Sequence, residues 1–174
     1  INKYSNNTMA QQLFLTLALQ KLGVGTWQGA RDVVNQWLTE RVRAPMLGLQ
    51  LGNGAGLSRD ARLSAALLAR VLQHAWQGPA MPDLLSSLPA SGVDGTLRGA
   101  RGLDGRSDGS RTGPGRAHLK TGSLRDVSGV AGYVLGESGR RFVVVAIANH
   151  PSAADARPAI DALVRWAMDD KAAS

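Results

Sequence analysis

Residues 117–149 have the sequence AHLKTGSLRDVSGVAGYVLGESGRRFVVVAIAN, and this stretch decides the fold class. Its apolar residues recur with a period of two over Val127–Leu135 and Arg141–Ala148, which predicts two β-strands. Glu137-Ser138-Gly139 between them is typical of a short hairpin turn. Ala117–Thr121 is predicted to be a third strand that precedes the hairpin. We therefore expect an antiparallel meander whose strands follow one another directly in the chain.

Helices are predicted on both sides of this meander, because apolar residues recur there every three to four positions. The predicted helices begin near Ser5, at Trp27, after a cap at Ser58 or Asp60, at Asp83 and at about Asp155, and the first four end at Gly23, Pro45, Gly78 and Pro89. Strands that run together, rather than alternating with helices, favour an α+β fold or a mixed layered sheet over a doubly wound fold.

The composition narrows the classes of function. The 174 residues contain no cysteine, which excludes a disulfide framework, a cysteine-based zinc site and a cysteine nucleophile. No apolar run approaches the roughly 20 residues of a membrane span. The net charge of +7 suggests a nucleic-acid partner, but aromatic residues that could stack on bases make up only 5% of the chain. We therefore expect no nucleic acid as a partner.

Residues 98–116 form the most unusual segment. Five Arg and six Gly occur there, with almost no apolar residue, which predicts a flexible surface loop. The alternative is an arginine-glycine segment that binds nucleic acid, but the aromatic partners expected of such a segment are missing.

Two short motifs carry chemical information when they occur together. Ser5-Asn6-Asn7 fits Ser-x-Asn at the start of a predicted helix, and Lys120-Thr121-Gly122 fits Lys-Thr-Gly on a predicted strand. Each alone is weak evidence, since a serine at such a place can serve only as a helix cap. Together they are the second and third motifs of the serine penicillin-recognising enzymes, whose first motif is Ser-x-x-Lys.

Further stretches resemble one branch of that superfamily. The matching stretches are Lys120–Leu124 followed by Gly129–Tyr133, Gly56–Asp60 with its Gly-Leu-Ser-Arg run, and Leu88-Pro89 followed by Gly92–Leu97. The chain thus resembles the class C penicillin-binding proteins, which are D-alanyl-D-alanine carboxypeptidases and endopeptidases. One departure is Asn53-Gly54-Ala55-Gly56, which stands where the family usually has an Asp-Gly-Ser-Gly-type run.

The resemblance also implies the fold and the domain organisation. We expect an antiparallel sheet flanked by helices, as in the C-terminal part of a β-lactamase/transpeptidase-like domain. The first motif is absent, because no serine stands three residues before any lysine of this chain. We therefore expect residues 1–174 to be a C-terminal fragment of that domain, with the nucleophile on an upstream part that the chain lacks. A homologue without a nucleophile is the alternative.

Particular residues receive roles from the resemblance. Ser5 would relay a proton to the leaving nitrogen, Asn7 would hold the lysine of the missing motif, and Lys120 would place positive charge beside Ser5 and the substrate carboxylate. These three are the expected catalytic residues. The expected substrate-binding residues are Thr121, Gly122, Ser123 and Arg59. Asp94 is expected to be a turn residue rather than an acid catalyst.

The implied function is a penicillin-sensitive serine DD-peptidase that acts on peptidoglycan stem peptides through an acyl-enzyme. A serine β-lactamase shares the motifs, and a non-catalytic domain that binds cell wall or nucleic acid is a further alternative. The implied partners are peptidoglycan peptides, β-lactams and the N-terminal remainder of the same protein, with no metal or other cofactor. Such enzymes act outside the cytoplasmic membrane, which implies a periplasmic or exported location.

Overall fold

The computed structural model describes residues 1–44, 46–99 and 114–170, which form two compact units. The first unit comprises Ile1 and Ser5–His74, and the second comprises Asn2–Tyr4 and Ala75–Ser174. The helices are α1 (Asn7–Leu22), α2 (Trp27–Trp37), α3 (Ala65–Gln77), α4 (Met81–Ser87) and α5 (Arg157–Met168). The strands are β1 (Ala117–Leu124), β2 (Val127–Leu135) and β3 (Arg141–Asn149). Within the described ranges, no helix is long and apolar enough to cross a membrane.

The second unit contains the meander that the sequence predicts. The strands are antiparallel in the order β1-β2-β3, and β2 has the predicted bounds. β1 extends beyond its predicted end at Thr121 to Leu124. α5 packs on one face of the sheet, where side chains of all three strands and of α5 are buried together. This core consists of Leu97, Ala117, Leu119, Val130, Val134, Val144, Ile160, Val164, Ala167 and Met168.

β3 forms one edge of this sheet. In the described part of the chain only β2 pairs with it. Its central residues, Phe142–Ala148, carry no charged side chain. The outer edge of β3 is therefore a long strand edge whose central side chains are all apolar.

The cap of α1 differs from the prediction. The Asn6 side chain accepts a hydrogen bond from the Met9 N–H (2.9 Å), so Asn6 rather than Ser5 is the N-cap. Both residue types suit this role, and the backbone decides between them. Asn6 has the extended conformation of a cap, whereas Ser5 has a left-handed φ of 51°. The predicted end of the helix is correct, since Gly23 has a left-handed φ of 78°.

α3 also begins later than predicted. The Leu67 N–H donates to the Ser64 hydroxyl (3.0 Å), so Ser64 caps the helix and neither Ser58 nor Asp60 does. Gln50 and Arg62 exchange two backbone hydrogen bonds of 2.8 Å in an isolated antiparallel bridge. This bridge requires extended backbone at Arg62, which is incompatible with a helix that starts before it.

The remaining helices differ from the predictions mainly at their ends. α2 begins at Trp27 as predicted and continues into a π-helical turn, Leu38–Val42, while Pro45 lies outside the described residues. α4 is Met81–Ser87 rather than 83–88. α5 begins at Arg157 because a 3₁₀ turn, Ala153–Ala156, occupies the residues before it.

The predicted flexible loop at 98–116 falls mostly on residues 100–113, which lie outside the described residues. Before them, a 3₁₀ turn at Gly95–Leu97 places Leu97 in the core with 1% exposure. After them, the Arg116 guanidinium donates to the Leu135 carbonyl (3.0 Å). Both flanks of the segment are thus tied to the second unit.

A glycine on β2 sets how closely the first two strands approach. Gly132 has a φ of 154°, and a Cβ at this position would lie 2.1 Å from the His118 carbonyl oxygen. Any side chain here must push aside the backbone of β1 two residues before Lys120. At Gly122, on β1 itself, a Cβ would meet no atom within 4 Å.

We predict that Gly132→Ala lowers the free energy of unfolding by about 2–4 kcal/mol, because the new methyl group overlaps the His118 carbonyl. Gly122→Ala is the matched control and should change stability by less than about 1 kcal/mol. Urea denaturation of both variants measures the difference. Equal stability of the two variants would show that Gly132 does not control the approach of the strands.

Candidate active site

The Lys-Thr-Gly motif lies on an edge strand. β1 pairs with β2 along its inner edge. Its outer edge is covered only at the start, where the Leu119 N–H donates to the Pro89 carbonyl (3.0 Å) and the Ala117 carbonyl accepts from the Ser91 N–H (2.8 Å). In the described part of this unit no strand covers the outer edge beyond Leu119. The edge from Lys120 to Ser123 is therefore open within the unit.

The hydrogen bonds of Ala117 and Leu119 also show which backbone groups of β1 point outwards. In an antiparallel strand the N–H and C=O of one residue share a direction, which alternates along the strand. The N–H and C=O groups of Thr121 and Ser123 therefore point outwards, as those of Leu119 do. These two residues present N–H donors and C=O acceptors along the open edge.

Side chains alternate between the faces of the sheet in the same way. Leu119 is buried in the core under α5, and Thr121 and Ser123 share its face. Lys120 and Gly122 lie on the opposite face. Lys120–Ser123 therefore follow one another along the open edge, with the hydroxyls and the ammonium group on different sides of the sheet.

Lys120 is half-buried on its face. Its cross-strand partner is Ala131, and two residues further along β2 the buried Tyr133 ring packs against Trp76, with 5.1 Å between ring centroids. The Lys120 ammonium donates to the Thr121 carbonyl (2.7 Å). Burial lowers the pKa of Lys120 below its usual value of 10.5, because desolvation disfavours the charged form.

The Ser-x-Asn motif lies at the start of α1 in the first unit. Ser5 is half-buried, Asn6 caps the helix, and the exposed Asn7 is its first residue. A left-handed φ in a residue other than glycine costs roughly 1–2 kcal/mol, and such strain is concentrated at functional sites. The strained backbone at Ser5 is the feature that distinguishes this serine from an ordinary helix cap.

The residues directly before Ser5, Asn2–Tyr4, belong to the second unit and are bonded within it. The Asn2 side-chain amide donates to the Ser87 hydroxyl (2.8 Å), and the Lys3 carbonyl accepts from the Thr96 N–H (3.1 Å). The Lys3 ammonium forms an ion pair with Asp94. Asp94 also accepts the Ala90 N–H (2.9 Å), and the hydrogen bonds from Lys3 and then Ala90 lower the pKa of its carboxyl group. Asp94 thus has a structural role, as predicted.

Arg59 lies exposed on a glycine-rich loop of the first unit. The loop departs from the family at Asn53, where an Asp is usual. The Asn53 side chain accepts the Ala55 N–H (3.1 Å) and donates to the Leu57 carbonyl (3.3 Å). An aspartate could accept the first bond but could not donate the second. Asn53 therefore makes one more hydrogen bond within the loop than an aspartate at this position could make.

The structure brings Lys120, Thr121, Gly122 and Ser123 together on one strand edge, and it places Ser5 and Asn7 together at the start of α1. The sequence analysis missed the ion pair of Lys3 with Asp94 and the packing of Trp76 on Tyr133. No local pattern reveals such pairs, because the partners are far apart in the chain. Within the described residues, no three His, Asp or Glu side chains are grouped as a metal site requires.

A known protein family matches nearly the whole chain. Residues 1–170 match the family described as D-Ala-D-Ala carboxypeptidase 3 (S13). The chain belongs to this S13 family. The match extends over both units and confirms the resemblance that the two motifs indicate.

The relatives with which the chain shares sequence are longer than the chain itself. Carboxypeptidase DacB of Mycolicibacterium smegmatis is 35% identical over 91% of this chain and 34% of its own length. D-alanyl-D-alanine carboxypeptidase of Actinomadura sp. is 31% identical over 79% of this chain and 25% of its own length. The chain thus spans about a third or less of the curated relatives it matches.

A solved structure shows the same fold. Penicillin binding protein 4 of Haemophilus influenzae superposes with a TM-score of 0.82 and 25% identity, over 97% of this chain and 38% of that one. The predatory endopeptidase of Bdellovibrio bacteriovorus, solved with an immunity protein, has a TM-score of 0.66 at 14% identity, which shows the fold alone. The predicted fold class is confirmed.

We predict that Lys120→Met keeps or raises the melting temperature at pH 7. A lysine whose folded pKa is lowered weakens folding at neutral pH, and stability increases only as the pH rises through that lowered pKa. Lys120→Arg is the control, since it keeps a positive charge at this half-buried position. Thermal unfolding followed by circular dichroism tests this, and a loss of more than about 3 °C in Lys120→Met would contradict it.

We predict that Asp94→Asn lowers the melting temperature at pH 7. Because the pKa of Asp94 is lowered in the fold, its stabilisation is present above the usual value of 3.8 and is lost as the pH falls through the lower folded pKa. The difference between Asp94→Asn and the unmodified chain should therefore shrink towards pH 2. Glu137→Gln, which removes an exposed carboxylate, is the control. A difference that stays constant from pH 7 to pH 2 would exclude the ion pair as its cause.

Proposed function

We propose that this chain is part of a penicillin-sensitive serine DD-peptidase, which cleaves the D-Ala-D-Ala end of peptidoglycan stem peptides as a carboxypeptidase, an endopeptidase or both. The observation that carries the proposal is the open edge of β1 at Lys120–Ser123. Membership of the S13 family and the names of its relatives support the same activity.

An open strand edge suits an extended peptide as substrate. A stem peptide that adds to β1 as a further strand would meet the N–H and C=O groups of Thr121 and Ser123. Gly122, with open space beside it, lets the peptide backbone come close. Recognition through the backbone would hold the scissile bond at a fixed position along the strand.

The terminal carboxylate of the substrate would be bound at the same edge. Lys120 supplies positive charge from one face, and the hydroxyls of Thr121 and Ser123 reach the carboxylate from the other, so the carboxylate would lie at the rim between the faces. The Ser123 N–H would be one of two oxyanion donors. Loss of one such donor typically costs about 10²–10³ in rate.

The chemistry is acyl transfer in two steps. A serine hydroxyl attacks the carbonyl carbon between the two D-alanines, and the bond to the leaving nitrogen breaks as Ser5 passes it a proton. Water then hydrolyses the ester and frees the serine. Asn7 would hold the lysine that activates the nucleophile, and Arg59 would bind an acidic group of the stem peptide.

The attacking serine and its lysine are proposed to lie on a Ser-x-x-Lys motif outside these residues. No such motif occurs in the 174 residues, and the chain spans about a third of its relatives' length. A substrate in the cell wall supports a periplasmic or exported location, and β-lactams, which mimic the D-Ala-D-Ala end, would be ligands of the complete site.

A serine β-lactamase is the second candidate, because it shares both motifs. The S13 match and the Gly-Leu-Ser-Arg loop favour the peptidase. The two activities differ in the second step, since a β-lactamase hydrolyses the penicilloyl ester quickly and a penicillin-binding protein retains it.

We predict that fluorescent penicillin does not label residues 1–174 alone and does label the full-length gene product, on a serine outside this chain. Gel fluorescence and peptide mass mapping measure the label and its position. Lys120→Ala in the full-length product should reduce the acylation rate at least about 100-fold, and Glu137→Gln should leave it unchanged. A stable adduct on residues 1–174, or a full-length gene without Ser-x-x-Lys, would refute the proposal.

A further inference from the structure

The first unit contains a groove of about 740 Å³ that none of the residues assigned above lines. One wall is α2, through Trp27, Gln28, Arg31 and Asn35. The other wall is the glycine-rich loop between residues 49 and 60. Sites for small ligands typically have volumes of about 300–1,000 Å³, so the groove has the size of a binding site.

The loop wall has a fixed shape. A Cβ at Gly52 would lie 2.6 Å from the Ser58 Cβ, and a Cβ at Gly54, whose φ is 73°, would lie 2.5 Å from the Phe14 Cβ. The side chain of Asn53 bonds within the loop, and the Arg31 guanidinium reaches the Gly52 carbonyl from α2 (3.5 Å). These contacts fix the shape of the loop wall, and a wall of fixed shape loses less entropy when it binds a ligand.

The lining combines an aromatic face with neutral amides. The Trp27 side chain is 40% exposed. Four amide side chains line the groove near it: Gln28 and Asn53, which already bond within the protein, and Asn35 and Gln50, whose amides each offer a donor and an acceptor. The lining residues carry one basic group, Arg31, and one acidic group, Asp60, so their charges offset each other. Arg31 already donates to the Gln28 side chain (3.0 Å).

We propose that this groove binds an N-acetylated amino sugar of the peptidoglycan glycan strand. An acetamido group is itself an amide, so it pairs with amide side chains through one donor and one acceptor. The exposed indole offers an apolar face to the C–H groups of a sugar ring. A neutral lining favours a neutral sugar over a stem peptide, whose terminal carboxylate is charged.

This assignment rests on the proposed function, because a DD-peptidase meets its stem peptide attached to the glycan. The groove would bind the glycan to which the stem peptide is attached. It would give the enzyme a preference for peptides still attached to glycan over free peptides.

The test is an NMR titration of residues 1–174 with a tetrasaccharide of N-acetylglucosamine, which follows the indole N–H signals. We expect the Trp27 signal to shift and the signal of Trp166, which is 68% exposed in the second unit, to stay in place. Asn35→Ala should weaken binding about tenfold, and Trp166→Ala should not change it. The Asn35 side chain makes no hydrogen bond to the residues that the structure describes, so this variant should fold.

The alternative outcomes separate this inference from the proposed function. A Trp27 shift caused by a D-Ala-D-Ala pentapeptide and not by the tetrasaccharide would overturn the sugar assignment and make the groove a peptide site. No shift with either ligand would overturn it as well. Failure of penicillin to label the full-length product, with the tetrasaccharide still bound at Trp27, would refute the peptidase proposal alone.

Discussion

The antiparallel register of β1 on β2 is the constraint on which the candidate active site depends. It pairs Lys120 with Ala131 and Thr121 with Val130, and the two strands approach so closely at Gly132 that no Cβ fits there. A shift by one residue would move the Lys120 side chain into the apolar core under α5. It would also turn the amides of Thr121 and Ser123 inwards, where β2 would use them. This register thus places the Lys120 ammonium group on one face of the sheet and the N–H donors of Thr121 and Ser123 along the open edge of β1.

Both motifs are unfavourable for folding. Lys120 keeps an ammonium group in a desolvated place, and Ser5 adopts a left-handed backbone. Such features persist only where the surrounding structure holds them. The buried Tyr133 ring packs on Trp76 on the same face as Lys120, and the bonds of Asn2 and Lys3 secure the chain directly before Ser5. Contacts made by neighbouring residues therefore support both unfavourable groups.

The sequence predicts those features that a local pattern encodes. The period of two predicts both end residues of β2 correctly, because apolar and other residues alternate along a strand that buries one face. The caps of α1 and α3 were wrong because several Ser, Asn and Asp residues compete there, and backbone conformation outside the motif selects among them. Motif resemblance predicts roles for Lys120 and Ser5 but does not reveal that the Thr121 side chain faces away from Lys120. The pairing of Lys3 with Asp94 depends on contacts between distant residues and had no signal in the sequence.

The outer edge of β3 has a consequence for how the protein behaves while it folds. Among the residues that the structure describes, only β2 pairs with β3, and a strand edge with no charged side chain over Phe142–Ala148 accepts another strand readily. Natural sheets normally protect such an edge with a charge, a proline or a bulge, and the centre of β3 contains neither a charge nor a proline. Whenever this edge is exposed, intramolecular pairing competes with association between chains, which grows with concentration. The yield of native protein is then set by dilution and by the speed of folding as much as by the stability of the finished fold.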